Sequence, residues 1–135
     1  MRIRKAKTKD AALIARINRL SEDPVDKIIG ITESWVRNSF RKLLSDKRYE
    51  VYLYEDTGVA VLKKEFAGFN NCELEWLTVD KNCQGQGIGK KLVKFIESRA
   101  KKLRFRGIYL YTHPLHKPAI ILYKKLGFRK ITEFP

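Results

Sequence analysis

Cysteine is scarce in this sequence of 135 residues. Its two cysteines, Cys72 and Cys83, are too few for a disulfide framework or a cysteine-based zinc site, so we expect no metal. No apolar run approaches the roughly 20 residues that a membrane-spanning helix needs. Residues 1–7 lack the apolar segment of a signal peptide. We therefore expect a cytoplasmic protein without a membrane partner.

Acidic residues are also few, with 15 Asp and Glu against 29 Lys and Arg, which gives a net charge of +14. Residues 81–106 carry nine cationic side chains and one acid, Glu97. This surplus suits a polyanionic cofactor and could attract an acidic or nucleic-acid-associated partner, although a solvated basic surface would look the same. The length and the hydrophobic content of 44% predict a single domain over residues 1–135.

A strand, a glycine-rich loop and a helix follow one another in the second half of the chain. The run from Glu73 to Val79 alternates as a strand does, and the loop runs from Gln84 to Gly89. Apolar residues then recur with helical spacing at Ile88, Leu92, Phe95, Ile96, Ala100 and Leu103. Since the first N–H groups of a helix are unpaired and glycines let the backbone wrap around oxygens, this arrangement predicts a phosphate or pyrophosphate site near Gly87.

Two common phosphate loops do not fit these residues. A Walker loop fails because position 84 is Gln and Lys90 is followed by another lysine. A Rossmann fingerprint fails because Lys90 or Leu92 stands where its third glycine belongs. The pattern that remains is Gln84-x-x-Gly87-x-Gly89, followed downstream by Ala119-x-x-x-Tyr123-x-x-x-Gly127-Phe128.

Together the two motifs resemble the signatures of the GCN5-related N-acetyltransferase (GNAT) family, and the resemblance covers Cys72 to Phe128. It implies the acyl-CoA N-acyltransferase fold: an α/β (α+β) domain with a mixed, mostly antiparallel central sheet and helices on both faces. The element order predicted from the sequence, β-α-α-β-β-β-α-β-α-β, agrees with that fold. Only one further strand, Phe128 to Phe134, fits after the last helix, where the family has two. The C-terminal part of the sheet is thus expected to be truncated, and a monomer or a homodimer is left open.

The resemblance also implies a reaction, the transfer of the acetyl group of acetyl-CoA to a primary amine. A protein or peptide amine is slightly favoured over a small-molecule amine, with ribosome-associated proteins among the candidates. Glu22, Asp23 and Asp26 are candidates for holding a cationic amine, or they form a solvated loop. A non-catalytic, basic nucleic-acid-binding module is the alternative from a different functional class.

The resemblance assigns the cofactor contacts residue by residue. The backbone of Leu77 and Val79 is expected to bind the pantetheine arm and thioester. His116 stands where the family often has an Asn that bonds the same arm. The pyrophosphate is expected at Gln84, Gly85, Gln86, Gly87, Ile88, Gly89 and Lys90.

Three side chains are candidates for catalysis. Tyr123 matches the tyrosine that protonates the leaving thiolate, and a phenol is protonated at neutral pH. Strand alternation predicts that Glu73, Glu75, Leu77 and Val79 share one face. Glu73 is the first choice as the base that deprotonates the amine and Glu75 the second, while some relatives use only a chain of waters.

Overall fold

The structure is a computed structural model that describes residues 2–66 and 70–131. The chain begins with a short strand and three helices, continues with three strands, and ends with two helices on either side of a short strand. The elements are β1 Ile3–Lys5, α1 Ala11–Leu20, α2 Pro24–Ile29, α3 Glu33–Leu43, β2 Tyr49–Tyr54, β3 Gly58–Lys63, β4 Asn71–Val79, α4 Ile88–Lys102, β5 Gly107–Tyr109 and α5 Lys117–Lys125.

The five strands form one sheet in the order β1-β2-β3-β4-β5. The first three pairings are antiparallel, and β5 joins β4 in parallel after the crossover through α4. Parallel neighbours need such a crossover, whereas β2 and β3 are joined by a tight hairpin. The predicted mixed, mostly antiparallel sheet is confirmed.

Alternate residues of β3 point to opposite faces of the sheet and into two separate cores. Val59 and Val61 belong to the core that α1 and α3 cover, and Ala60 and Leu62 belong to the core that α4 covers. Partly buried side chains of α5 pack against the second core, among them Leu122 and Tyr123. Helices therefore lie on both faces, as predicted.

A buried ion pair fastens α4 to the centre of the sheet. Arg99 donates through Nε and Nη2 to the two carboxylate oxygens of Glu50, at 2.7 and 3.0 Å. The Tyr52 hydroxyl donates to the same carboxylate at 2.7 Å. The Arg99 guanidinium holds the pKa of Glu50 at about 2, so the carboxylate stays charged although the residue is only 3% exposed.

Two expected details differ from the structure. The predicted element order has two helices before the second strand, whereas the structure has a third, α2, which starts at Pro24 with Asp23 as its N-cap. The predicted last strand from Phe128 to Phe134 is not formed at residues 128–131, and residues 132–134 lie outside the described part. None of the helices described is long and apolar enough to cross a membrane. The cytoplasmic location stays a prediction.

Candidate active site

Strand β4 separates from β5 halfway along its length. The parallel pairing joins Asn71, Cys72 and Glu73 to Gly107, Ile108 and Tyr109 and then stops. In the part of the chain that the structure describes, residues 74–79 have a strand partner only in β3. One edge of β4 is therefore open beside Leu77 and Val79, and backbone groups on an open edge can bind an extended ligand as a further strand would.

A β-bulge changes which side chains of β4 share a face. Val61 pairs with Trp76 and Leu62 with Leu74, so Glu75 is an extra residue between two regular stretches. Before the bulge Leu74 lies in the α4 core, and after it Trp76 packs toward the α1/α3 core. The prediction that Glu73, Glu75, Leu77 and Val79 share one face is wrong, because the bulge reverses the alternation between Glu73 and Leu77.

A cavity of about 880 Å³ lies where the two strands part. Its walls are the open half of β4, the glycine loop with the start of α4, α5, and the segment from Ser21 to Ile31 that includes α2. Most of the predicted cofactor-binding residues line it: Leu77, Val79, Gln84, Gly85, Gly87, Ile88, Gly89, Lys90 and His116. Gln86 is exposed and is not part of the lining.

The glycine loop presents unpaired donors at one end of this cavity. Gly85 and Gly87 both have φ of +82°, which an L side chain rarely adopts. Among residues 2–66 and 70–131, nothing accepts a hydrogen bond from the backbone N–H groups of residues 85–90, and the first bond of the turn runs from Lys91 to Gly87. These donors, at the positive end of a 15-residue helix, fit a pyrophosphate.

Gln84 braces the loop instead of reaching into the cavity with its amide. Its Nε2 donates to the Val79 carbonyl oxygen at 3.0 Å, which joins the loop to the end of β4. This contact occupies the side-chain amide of Gln84, a residue that also lines the cavity. The hydrogen bond between Gln84 and Val79 therefore holds the glycine loop next to the open edge of β4.

Tyr123 lies in the wall of the cavity on α5. Its ring meets Phe128 edge-on at 5.8 Å, and burial raises the pKa of its hydroxyl to about 12. No residue in the described part bonds that hydroxyl, which leaves it available to a ligand. A phenol that stays protonated in a cavity is suited to donate a proton.

The two candidate bases lie in different places. Glu75, the bulged residue, lines the cavity beside Leu77. Glu73 lines a separate depression of about 400 Å³ with Lys63, Glu65, Phe66 and Tyr111. Burial raises the pKa of both carboxyls, and for Glu73 the neighbouring Glu75 charge adds to the effect.

His116 holds the α2 segment against α5. Its Nε2 lies 2.8 and 2.9 Å from the two carboxylate oxygens of Asp23, while Asp23 also accepts from the Val25 N–H. On the other side, Lys81 pairs with Glu22 at 2.7 Å. One ring nitrogen of His116 is thereby occupied, so a contact with the pantetheine arm would need Nδ1.

Asp26, one of the residues that the sequence suggested for holding a cationic amine, lines the cavity. Asp26 accepts from Asn18 Nδ2 at 2.8 Å, and burial raises the pKa of its carboxyl. Asp26 and Glu75 both line the cavity, and in the described ranges neither has a cationic side chain within ion-pair distance. Trp76, Thr112 and Leu115 also line it. No pattern in the sequence marked Trp76, Thr112 or Leu115 as residues of the cavity.

Comparison with known proteins gives concordant results. The model of the acetyltransferase (GNAT) family matches residues 14–128. A Xenopus tropicalis protein named probable N-acetyltransferase 14 is 37% identical over 79 residues, which are 58% of this chain and only 38% of the relative's length.

Solved structures share the fold across nearly the whole chain. A transcriptional regulator from Bacillus halodurans superposes with a TM-score of 0.78 at 24% identity, covering 98% of this chain and 95% of its own. An aminoglycoside N-acetyltransferase in complex with CoA superposes with a TM-score of 0.78 at 12% identity, and the match covers 98% of this chain and 90% of that enzyme's chain. At these identities the structures establish the fold alone.

The match to the family model confirms the resemblance inferred from the two motifs, and it agrees with the predicted enzyme class and with acetyl-CoA as the predicted co-substrate. It favours an enzyme over the non-catalytic nucleic-acid-binding module. Because the matched residues make up most of the sequence, the chain belongs to the acetyltransferase (GNAT) family, whose class of reaction is acetyl-CoA-dependent N-acetyl transfer.

Proposed function

We propose that this chain is a single acetyltransferase domain that transfers the acetyl group of acetyl-CoA to a primary amine bound as a cation. The observation that carries the proposal is that two carboxylates, Asp26 and Glu75, line the cavity and in the described ranges have no cationic side chain within ion-pair distance. Half-buried carboxylates of this kind favour a cationic ligand that neutralises them. A protonated amine is such a ligand.

The cofactor contacts in this proposal follow the geometry of the cavity. The N–H groups of residues 85–90 hold the pyrophosphate, with Lys90 beside them, and the open edge of β4 at Leu77 and Val79 aligns the pantetheine arm. Bound acetyl-CoA supplies the activated thioester. The chain itself supplies position, exclusion of water and proton transfer.

Two side chains move protons in this proposal. Glu75 takes a proton from the ammonium group, directly or through one water, so that the neutral amine can attack. Tyr123 gives its proton to the departing thiolate, since a pKa of about 12 keeps its hydroxyl protonated beforehand. Glu75 thus replaces Glu73 as the first choice for the base, because Glu75 lines the cavity and Glu73 does not.

Exposed apolar side chains beside the cavity favour a protein or peptide amine as the acceptor. Ile29 and Leu115 line the cavity and are 62% and 41% exposed, and Ile28 next to them in sequence is 70% exposed. Such side chains can pack against apolar residues that flank the reacting amine of a peptide. A small polycationic amine is the second candidate, because the carboxylates of Asp26 and Glu75 could both contact its positive charges.

The test of this function is the release of CoA thiol in the presence of a panel of amines. The panel contains peptides with a free N-terminus or a lysine, each with apolar or polar flanking residues, a polyamine and an aminoglycoside. We expect turnover with cationic amines and the highest kcat/KM for peptides with apolar flanks. Tight acetyl-CoA binding without turnover of any amine would contradict the proposal.

Replacing Tyr123 with Phe is expected to lower kcat by about tenfold to a hundredfold, since a general acid contributes at least that much in many enzymes. The affinity for acetyl-CoA should stay within about twofold, because the ring and its packing against Phe128 are kept. Steady-state kinetics and calorimetry measure the two effects. Equal kcat in both proteins would remove Tyr123 from the mechanism.

A further inference from the structure

The positive charge of the chain is concentrated in its C-terminal part. Residues 1–80 carry 15 Lys and Arg against 13 Asp and Glu, a net charge of +2. Residues 81–135 carry 14 Lys and Arg against two acids, Glu97 and Glu133, a net charge of +12. Such an asymmetry within one small fold is typical of proteins with a polyanionic partner.

Few of these C-terminal cations are neutralised within the molecule. In the described part, Lys81 pairs with Glu22 and Arg99 with Glu50, and both partners come from the first 80 residues. A larger set is exposed and has no carboxylate partner among the described residues: Lys90, Lys91, Lys94, Lys101, Lys102, Arg104, Arg106, Lys117, Lys124, Lys125 and Arg129. In the first 80 residues, Arg2, Arg4, Arg19, Arg48 and Lys64 have carboxylate partners. Other cations there, among them Lys9, Lys42 and Lys47, have no carboxylate partner among the described residues, but nearby acids bring the net charge of that part close to zero.

Helix α4 arranges part of this set as a continuous surface. Its buried side carries Ile88, Leu92, Val93, Ile96 and Ala100, and lysines occupy the opposite, solvent-facing side. We call the exposed cations outside the cavity on this helix and just after it the α4 basic face: Lys91, Lys94, Lys101, Lys102, Arg104 and Arg106. A helix of 15 residues is about 22 Å long, so the face presents positive charge over that length. Lys90 and Lys125 line the cavity and are not part of it.

The composition of the face indicates which polyanion fits. The large apolar residues that are exposed in the described part all lie elsewhere: Ile28, Ile29, Trp35, Tyr111, Leu115, Ile121 and Ile131. A protein interface usually has an apolar core, and single-stranded nucleic acid is held by aromatic stacking. The α4 basic face has neither, whereas the backbone of a nucleic-acid duplex is bound by charge alone.

We propose that the α4 basic face binds the phosphate backbone of double-stranded nucleic acid, at a site distinct from the cofactor cavity. Binding there would hold the acetyltransferase domain on a nucleic-acid surface while its cavity stays open to acetyl-CoA and an amine. The proposal does not depend on the acceptor or on the catalytic residues, so its failure would leave the proposed function intact.

The test measures fluorescence anisotropy of labelled RNA and DNA duplexes of one sequence across a salt series, with CoA absent or saturating. We expect affinity to fall steeply with salt and to be unchanged by CoA. Neutralising three cations of the face, Lys94→Gln, Lys101→Gln and Lys102→Gln, should weaken binding about tenfold to a hundredfold and lower the salt slope by about 2 to 3. Preference for one duplex would identify which nucleic acid is the partner.

The matched control removes the same charge elsewhere with Lys9→Gln, Lys42→Gln and Lys47→Gln, all exposed residues of the N-terminal part. It should leave both affinity and salt slope nearly unchanged. Thermal unfolding and acetyl-CoA binding verify that both triple variants are folded. Equal losses in the two variants, displacement of the duplex by CoA, tighter binding to polyglutamate, or no binding to either duplex would each overturn the proposal.

Discussion

Replacing Gly87 with Glu is expected to weaken acetyl-CoA binding about a thousandfold. Gly87 is the N-cap of α4, and no atom lies within 4 Å of the position that a Cβ would take, so the new side chain meets the ligand rather than the protein. Two like charges about 4 Å apart near a protein surface repel by about 4 kcal/mol, and about 4 kcal/mol corresponds to a thousandfold in Kd. Isothermal calorimetry with acetyl-CoA measures the change.

The control for this variant is Gly30→Glu. Gly30 also has a left-handed backbone, with φ of +76°, and also has open space around its Cβ position, but it ends α2 and does not line the cavity. Both variants therefore carry the same backbone strain and the same added charge. If Gly30→Glu weakened acetyl-CoA binding as much as Gly87→Glu, strain or net charge would be the cause and the loop would lose its assigned role.

Replacing Glu75 with Gln is expected to lower kcat by about a hundredfold or more, because general bases contribute about 10² to 10⁴ in rate. Acetyl-CoA affinity should change little. The base must be ionised to act, so activity of the native chain should rise with pH through the pKa of Glu75, which burial raises above its ordinary value of 4.5. In the variant, the rise in activity with pH that comes from Glu75 should disappear. Any rise that comes from deprotonation of the amine substrate should remain.

Glu73→Gln is the matched control for the base. It makes the same chemical change two positions away, on a side chain that lines the separate depression beside Lys63. We expect kcat and the pH profile to stay near those of the native chain. A larger loss in Glu73→Gln than in Glu75→Gln would return the catalytic role to Glu73. No loss in either variant would indicate proton transfer through water alone.

The fold and the cofactor side of the site followed from local patterns. Glycines at 85 and 87, the helical spacing after them and the second motif around Tyr123 are short-range features, and short-range features can be read from a sequence. Nine predicted cofactor residues line the cavity for that reason. Their contacts with the cofactor remain predictions.

The bulge at Glu75 could not be read in this way. The β4 run still looks alternating in the sequence, because the extra residue is itself polar and lies between Leu74 and Trp76. A single inserted residue moves every later side chain of the strand to the opposite face of the sheet. The wrong assignment of faces therefore also affected the choice of Glu73 as the base. Nothing in the run distinguishes a bulge from a regular strand; only the pairing with β3 does.

The contact of His116 with Asp23 was not predicted, for a different reason. Its partner Asp23 is 93 residues away, and no local pattern connects a loop before α2 to the start of α5. A charged residue can pair with any opposite charge that the fold brings near it, and the sequence does not show which one. The same holds for Lys81 and Glu22.

Helix α2 has no buried residue. In the described part, Asp26 within it accepts a hydrogen bond from Asn18, and just before it Asp23 contacts His116 and Glu22 pairs with Lys81. The contacts with His116 and Lys81 join residues that are far apart in the chain. We expect such contacts to form late in folding, because the entropy cost of closing a long loop must first be offset by other contacts. A segment held by surface contacts also opens locally at far lower free energy than the sheet unfolds. In hydrogen exchange, α2 would therefore lose protection long before β2, β3 and α4, and the amine side of the cavity would open and close while the cofactor side stays folded.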